Sequence, residues 1–347
     1  MGLFYLYYIC KKIESMYFSF IIPVYNRPDE IDELLESLSK LKSETPFEVV
    51  VVEDGSSITC EHIIEEYNSK LSISYFFKPN SGPGASRNYG MQRAQGDYFI
   101  ILDSDCILPE AYLLEVTKSL QNDYVDCFGG PDAALASFSD IQKAINFTMT
   151  SFLTTGGIRG GSEKVGKFQP RSFNMGLSKK AFEISKGFGN IHPGEDPDLS
   201  IRLWNLGFQT KLIKDAFVYH KRRISWEKFQ IQVNKFGKAR PILNSWYPEF
   251  SKITFWFPSL FMVGFIVAIV LSFFEFPYVL GLYFLYFGML FISSLLANKS
   301  LKIALYTLYA AVIQFYGYGK GFLLSFYKIF ILKQAPQEAF PELFFKK

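Results

Sequence analysis

Between residues 18 and 103 the chain runs through four short apolar stretches, and each one ends in a cluster of polar residues. The stretches are "FSFIIPV" (18–24), "FEVVVVED" (47–54), "ISYFFK" (73–78) and "DYFIILD" (97–103). Apolar runs of this length read as strands buried on both faces. Between the first two lies "PDEIDELLESLSKL", which sets Ile31, Leu34, Leu35, Leu38 and Leu41 on one helical face and Pro28 at a first turn. Strands alternating with amphipathic helices predict an α/β fold, a mostly parallel sheet with helices on both faces. Ligands of such sheets bind beyond the carboxyl ends of the strands. The residues found there are "YNR" (25–27), "DGSS" (54–57), "PNSGPGASRN" (79–88) and "SD" (104–105), so four polar sets fall on one rim. Singly, each set is also good turn chemistry. Together they have no structural reason to share an edge.

The 347 residues leave room for one large domain with an appendage, or for two domains. Lys and Arg total 36 against 33 acidic residues, a net charge of +3 that gives no ground for a nucleic-acid partner. Cys10, Cys60, Cys106 and Cys127 lie far apart without a CxxC pair, which argues against a zinc site or disulfide framework and fits a reducing compartment. "MGLFYLYYIC" is about half the length that spans a bilayer and lacks the basic start and cleavage site of a secretory signal. Leu6 stands where a myristoylation site needs Ser or Thr. Residues 1–17 therefore read as an apolar N-terminal extension, with Met16 a candidate natural start, and residues 18–222 as the α/β domain.

The C-terminal part differs. Residues 253–274 and 277–297 carry no charge, each is long enough to span a bilayer, and only Glu275 and Phe276 separate them. Lys221, Arg222, Arg223, Lys228, Lys235, Lys238 and Arg240 precede this hairpin, and Lys299 and Lys302 follow it. The positive-inside rule then puts both flanks and the α/β domain in the cytoplasm, at the inner or plasma membrane. Residues 303–332 form a third apolar segment, interrupted by "GYGKG" (317–321) and followed by lysines. We expect it to be interfacial or re-entrant, because a third span would put those lysines outside. Residues 225–247, within a basic segment 223–250, read as a helix on the membrane surface or as a solvated charged helix. The membrane region is then 251–347.

"GPGASRN" (82–88) has two glycines of a dinucleotide fingerprint, but Arg87 stands where the third is needed. Gly82, Gly84 and Arg87 at a helix start still suit a diphosphate. "DSDCILPE" (103–110) alone could be a strand-end turn, and "GEDPDL" (194–199) alone an acidic helix start. On a shared rim they read as a carboxylate site.

"FSFIIPVYNR", "VVVVEDGS", "PNSGPGASRNYG", "DSD" and "GEDPDLSIRLWNLGF" occur in the order seen in glycosyltransferase family 2. The resemblance covers about residues 18–222 and implies a GT-A fold and inverting transfer from a nucleotide-sugar. It implies that Pro23, Tyr25, Asn26 and Asp54 hold the nucleoside, with Asp54 accepting from a base N–H. It puts Gly82, Arg87 and Asn88 near the ribose and diphosphate. Asp103, Ser104 and Asp105 match the DxD motif, Asp105 as direct metal ligand and Asp103 on the nucleotide side. Asp196 matches the catalytic base, with Glu195 supporting it or touching the acceptor, and His220 matches a third metal ligand. Arg171 and Asn174, in "PRSFNMGLSKKAF" (170–182), match the acceptor side.

Such chemistry needs a divalent cation against the charge growing on the β-phosphate, Mg²⁺ or Mn²⁺ for carboxylates, Mn²⁺ the more so with an imidazole. It also needs a carboxylate base for the acceptor hydroxyl. His62 reads as a surface helix residue and His192, in "NIHPGED", as a loop residue. "TTGGIRGGSEKVGK" (154–167) is either a lid or a loose loop. The chain has no QxxRW motif of the processive synthases, and two or three spans are too few for a channel. The expected enzyme is membrane-bound and non-processive. It moves one sugar from a donor, a UDP-sugar ahead of GDP or dTDP, to a lipid-linked saccharide in surface-polysaccharide assembly. Transfer to a polyprenyl monophosphate, or a non-catalytic membrane scaffold with the same fold, are the alternatives.

Overall fold

The computed structural model describes residues 16–133, 135, 137–156, 167–221 and 225–345. The extension up to residue 15, residues 157–166 of the glycine-lysine segment, and Arg222 and Arg223 lie outside the described residues. The chain forms two compact units. One holds residues up to 133, 163–220 and 345–347; the other holds 134–162 and 221–344. Residues 134–162, inside the expected 18–222 domain, thus group with the C-terminal part.

In the first unit the four apolar runs are strands β1 (Phe18–Val24), β2 (Phe47–Asp54), β3 (Ile73–Lys78) and β4 (Tyr98–Leu102). β5 (Cys106–Ile107), β6 (Cys127–Gly129), β7 (Asp132–Ala133), β8 (Asn174–Ser178), β9 (Thr210–Leu212) and β10 (Val218–His220) follow. The main sheet has the order β3-β2-β1-β4-β8-β6-β9, and its first four strands pair in parallel. β8 runs antiparallel between β4 and β6, with Leu102 opposite Asn174. Its beginning therefore lies at the same rim as the ends of β1 to β4. A smaller sheet, β5-β10-β7, pairs His220 with Cys106.

Helices α1 (Pro28–Ser39), α2 (Glu61–Tyr67), α3 (Pro83–Arg93) and α4 (Tyr112–Asn122) join these strands. α5 (Asp140–Thr150) and α6 (Phe152–Thr155) belong to the second unit, and α7 (Lys179–Ser185) and α8 (Glu195–Asn205) return to the first. The expected stripe of α1 buries Ile31, Leu34, Leu35 and Leu38 in one apolar layer with Phe20, Ile22, Val49 and Ile100. Ile21, Val50, Val52, Phe99 and Ile101 point the other way, into a second layer with Phe182, Leu199 and Leu203. Alternate residues of one strand fill opposite layers, which is why the runs are apolar throughout. Both layers hold the sheet rigid beneath its rim.

The second unit is helical, adding α9 (Trp226–Trp246), α10 (Phe257–Ser272), α11 (Tyr278–Asn298), α12 (Leu301–Phe326) and α13 (Pro336–Ala339). Two stretches are long and apolar enough to cross a membrane, Ile253–Ser272 and Tyr278–Asn298, with mean hydropathies of 2.2 and 2.0. "GYGKG" does not interrupt the third segment: α12 runs continuously through it. Its glycines are points of close approach. A Cβ on Gly317 would lie 2.6 Å from Val233, and one on Gly321 2.4 Å from the Asn234 carbonyl, both on α9. Asn234 Nδ2 also donates to Gly317 O at 3.0 Å.

Candidate active site

The rim is built from chain crossings between the strands. α3 starts at Gly82 and carries Arg87, 2% exposed, one turn in. Its guanidinium donates from Nη2 to Asp103 Oδ1 at 2.6 Å and from Nη1 to Glu195 Oε1 at 3.1 Å. The end of β4 and the start of α8, more than ninety residues apart in sequence, are thereby joined through one side chain. Both carboxylates hold the Arg87 pKa above its ordinary value, although burial acts the other way.

Glu195 is buried and saturated. Oε1 meets Arg87 and His192 Nδ1 at 2.9 Å, and Oε2 accepts from Gly194 N at 3.0 Å. Burial alone would raise its pKa, but the charge and hydrogen bond of His192, then Arg87, outweigh that and keep it low. Asp196 next to it behaves oppositely. Burial, then the charge of Glu195, raises it to about 6, while Arg87, Ser172 and Arg171 pull it down less strongly. Its Oδ1 is a buried oxygen with no hydrogen-bond partner among the described residues. A carboxylate with a pKa raised toward neutral and an oxygen without a hydrogen-bond partner has the character of a general base.

On the other side of the rim, β5–β10 pairing brings His220 beside Asp105. His220 Nε2 lies 3.1 Å from Asp105 Oδ1, and the imidazole stacks on Phe173 at 4.7 Å. Asp105, Cys106 and His220 offer donor atoms within 4.8 Å of one another, a group that could hold a metal ion. Cys106 Sγ donates to Phe173 O, which leaves a carboxylate and an imidazole as the natural ligands. That pair fits a divalent cation. Arg27 Nη1 also meets Asp105 Oδ2 at 3.0 Å, so a guanidinium balances part of this carboxylate's charge. Sequence reasoning gave Arg27 no role, because "YNR" shows nothing of a partner 78 residues away.

Several expected ligand contacts are internal clamps. Asp54 is 3% exposed and accepts from Lys78, from Ser81 N at 2.9 Å and from Gly82 N at 2.9 Å. It shapes the 79–82 loop, and a base N–H would have to compete with those donors. Asn26, at φ 53°, accepts at Oδ1 from Ser57 N, Ser57 Oγ and Ile58 N, pinning the loop after β2. Asn88 grips both Phe188 O and Phe188 N instead of facing a ribose. Asn174, expected on the acceptor side, is fully buried between Tyr112 Oη at 2.6 Å and Ala216 O at 2.8 Å. Arg171 is near enough to Asp196 to lower its pKa. Gly82 and Gly84 do not form an open cradle: the Phe345 ring lies against Gly82, and Gly84 packs on the Gly189 carbonyl. Pro23 is half-buried at the end of β1, Tyr25 is 52% exposed on the rim, and Ser104 is buried between the two aspartates. His192, read as a loop residue, touches Glu195 directly.

Residues 19–184 match the family described as glycosyl transferase family 2. The poly(ribitol-phosphate) beta-N-acetylglucosaminyltransferase TarS of Staphylococcus aureus (strain Mu50) is 36% identical over 114 residues, 32% of this chain and 20% of that protein. The hyaluronan synthase of Pasteurella multocida is 25% identical over 237 residues, 58% of this chain and 24% of that protein. The chain thus spans about a fifth to a quarter of the length of these curated relatives. Among solved structures, the mannosyltransferase PcManGT from Pyrobaculum calidifontis, in complex with GDP-Man and Mn²⁺, superposes with a TM-score of 0.58. That match is 14% identical and covers 90% of this chain and 94% of that one, a likeness of fold. The domain built around residues 19–184 belongs to glycosyltransferase family 2 and has its GT-A fold.

Proposed function

We propose that the chain is an inverting, membrane-bound glycosyltransferase that moves one sugar from a nucleotide-sugar to a hydroxyl of a lipid-linked saccharide. The observation that carries this reading is the Arg87 bridge, which brings the Asp103–Asp105 pair and the Glu195–Asp196 pair to one rim. Asp196 takes the acceptor proton as the hydroxyl oxygen bonds to the anomeric carbon. The bond from that carbon to the β-phosphate oxygen breaks on the opposite face, and the nucleoside diphosphate leaves with the electron pair. One displacement inverts the anomeric centre, with no covalent sugar–enzyme species. Asp105 and His220 would hold a divalent cation, which supplies charge neutralisation for the departing diphosphate. Asp103, half exposed beside Arg87, faces the nucleotide side.

The mannosyltransferase neighbour is in complex with GDP-Man, which supports a nucleotide-sugar donor without choosing the nucleotide. The two apolar helices support an acceptor presented in the membrane. The test is nucleotide release from a panel of UDP-, GDP- and dTDP-sugars, using native membranes as acceptor, with Mn²⁺, with Mg²⁺ and with a chelator. We expect one donor class to be turned over and the chelator to abolish turnover, with nucleotide affinity weakened as in Asp105→Ala. Full activity in chelator removes the metal role. Nucleotide binding without turnover of any sugar favours the scaffold.

A further inference from the structure

We propose that His192 is a positioning residue for the Asp196 site: its Nδ1 hydrogen bond locks the Glu195 carboxylate and keeps it off the neighbouring Asp196 Oδ1, a buried oxygen with no hydrogen-bond partner among the described residues. This rests on Asp196 being the base.

The loop before α8 is fastened at many points, so His192 arrives in a fixed place. Asn88 bonds both backbone groups of Phe188. Arg202 donates to Ser185 O and Gly187 O, each at 2.6 Å. Gly84 comes so near Gly189 O that a Cβ would be 2.9 Å from it, and Ile191 is 1% exposed. None of these contacts is needed for a loose surface loop. They place an imidazole nitrogen on one carboxylate oxygen.

That oxygen, Oε1, is shared with Arg87, whose other arm holds Asp103. Without His192, Glu195 would keep Oε1 on Arg87 alone. A loosened Glu195 can swing toward Asp196 or draw Arg87 away from Asp103, disturbing both sides of the reaction. The charged groups facing His192 are Glu195, Asp196 and Arg87; the Phe345 ring lies 6.1 Å away. Burial disfavours the imidazolium, yet the charge and hydrogen bond of Glu195 raise its pKa above the ordinary value. The imidazole thus helps hold Glu195 ionised, which an apolar side chain could not do.

The full chain has three histidines, His62, His192 and His220, so ¹⁵N-histidine labelling gives a tractable spectrum, assigned with His192→Ala. We expect His192 to stay protonated above the ~6.5 of an unperturbed histidine, and Glu195→Gln to bring it down. In nucleotide release with the donor turned over fastest in the panel above, His192→Ala should lower kcat about 10- to 100-fold while KM for the donor changes less than about twofold. Asn, which carries an NH₂ near the Nδ1 position, should restore more of kcat than Gln. A His192 titration indifferent to Glu195→Gln, wild-type kcat in His192→Ala, or equal rescue by Gln and Asn each overturns the proposal. If the titration behaves as expected but no sugar is turned over by wild type, the transferase reading fails and the bond alone stands.

Discussion

The carboxyl of Asp196 sits where burial and the charge of Glu195 both favour its protonated form. If Asp196 is the base proposed above, it works only when deprotonated, and its raised pKa would set the acidic limit of activity. We expect kcat/KM to fall as pH drops through about 6, with the slope of a single proton. Stability moves in a separate sense: the raised carboxylate favours the protonated fold, so acid in this window should not unfold the protein through Asp196. Asp196→Asn should lower kcat by roughly 10²–10⁴-fold, the usual contribution of a placed base, and leave UDP binding by calorimetry within about twofold. A rate that stays flat down to pH 5, or an Asn variant with kcat within about tenfold of wild type, would remove Asp196 from the role. At this scale the sequence showed the carboxylates only in combination: "DSD" alone reads as a turn and "GED" alone as a helix start, and their place on one rim and in the family's motif order singled them out. The asparagines have internal partners that their sequence does not show. Asn26, Asn88 and Asn174 carry the same amide whether it meets a ligand or a backbone group, and Asn88 finds its partner 100 residues away. His192 and Arg27 were missed for the same reason.

α12 shows what a residue pattern means once its neighbours are known. Gly317 and Gly321, four apart, share a face and admit α9, while Gly319 points to Pro258 and Ser259. Read alone, "GYGKG" signals a break, since glycine weakens an isolated helix by about 1 kcal/mol. Read against two neighbours, it is a narrow waist gripped from both sides. Gly237 on α9 answers it, with room for no Cβ against the Tyr318 carbonyl. The strands were easier to foresee, because burial on both faces demands continuous apolar runs whatever their partners. We expect Gly321→Leu to cost at least ~1–3 kcal/mol, since its side chain would meet backbone that cannot yield. Gly288→Leu in α11, where an added Cβ meets nothing within 4 Å, serves as the control and should be near neutral. Thermal unfolding of both variants in the same detergent measures the difference. Equal midpoints would mean that the waist is not a packing contact.

The second unit carries its apolar surface in two different ways. α12 buries Ile303, Ala310, Ala311, Phe315 and Phe322 inside the bundle, along with Thr307, Gln314 and Ser325. Ser294 and Thr307 hydrogen-bond at 2.7 Å, and Gln314 Nε2 donates to Thr154 O at 3.4 Å. The helix is therefore apolar on average yet polar at its contacts, a mixture that hydropathy alone could not tell from an interfacial segment. The stretches Ile253–Ser272 and Tyr278–Asn298 are the reverse, only 11% buried at their most apolar and with Leu260, Leu282, Phe284 and Leu296 exposed. Such a surface is long and apolar enough to lie in a bilayer, as proposed above. Lys228, Lys235, Lys238 and Arg240 on one flank and Lys299 and Lys302 on the other set the direction, with Glu275 alone at the tip. The expected topology puts both flanks in the cytoplasm and the tip outside. In a background without Cys10, the other cysteines, Cys60, Cys106 and Cys127, are buried, so added thiols report cleanly. Glu275→Cys should then react with an impermeant maleimide in intact cells, and Ser251→Cys only after the membrane is opened. Both sites are exposed in the fold, so a failure to label reflects the membrane and not packing. Labelling of Ser251→Cys from outside would invert the topology and move the nucleotide-sugar away from its cytoplasmic supply. Labelling of both positions from outside would mean that the hairpin does not span.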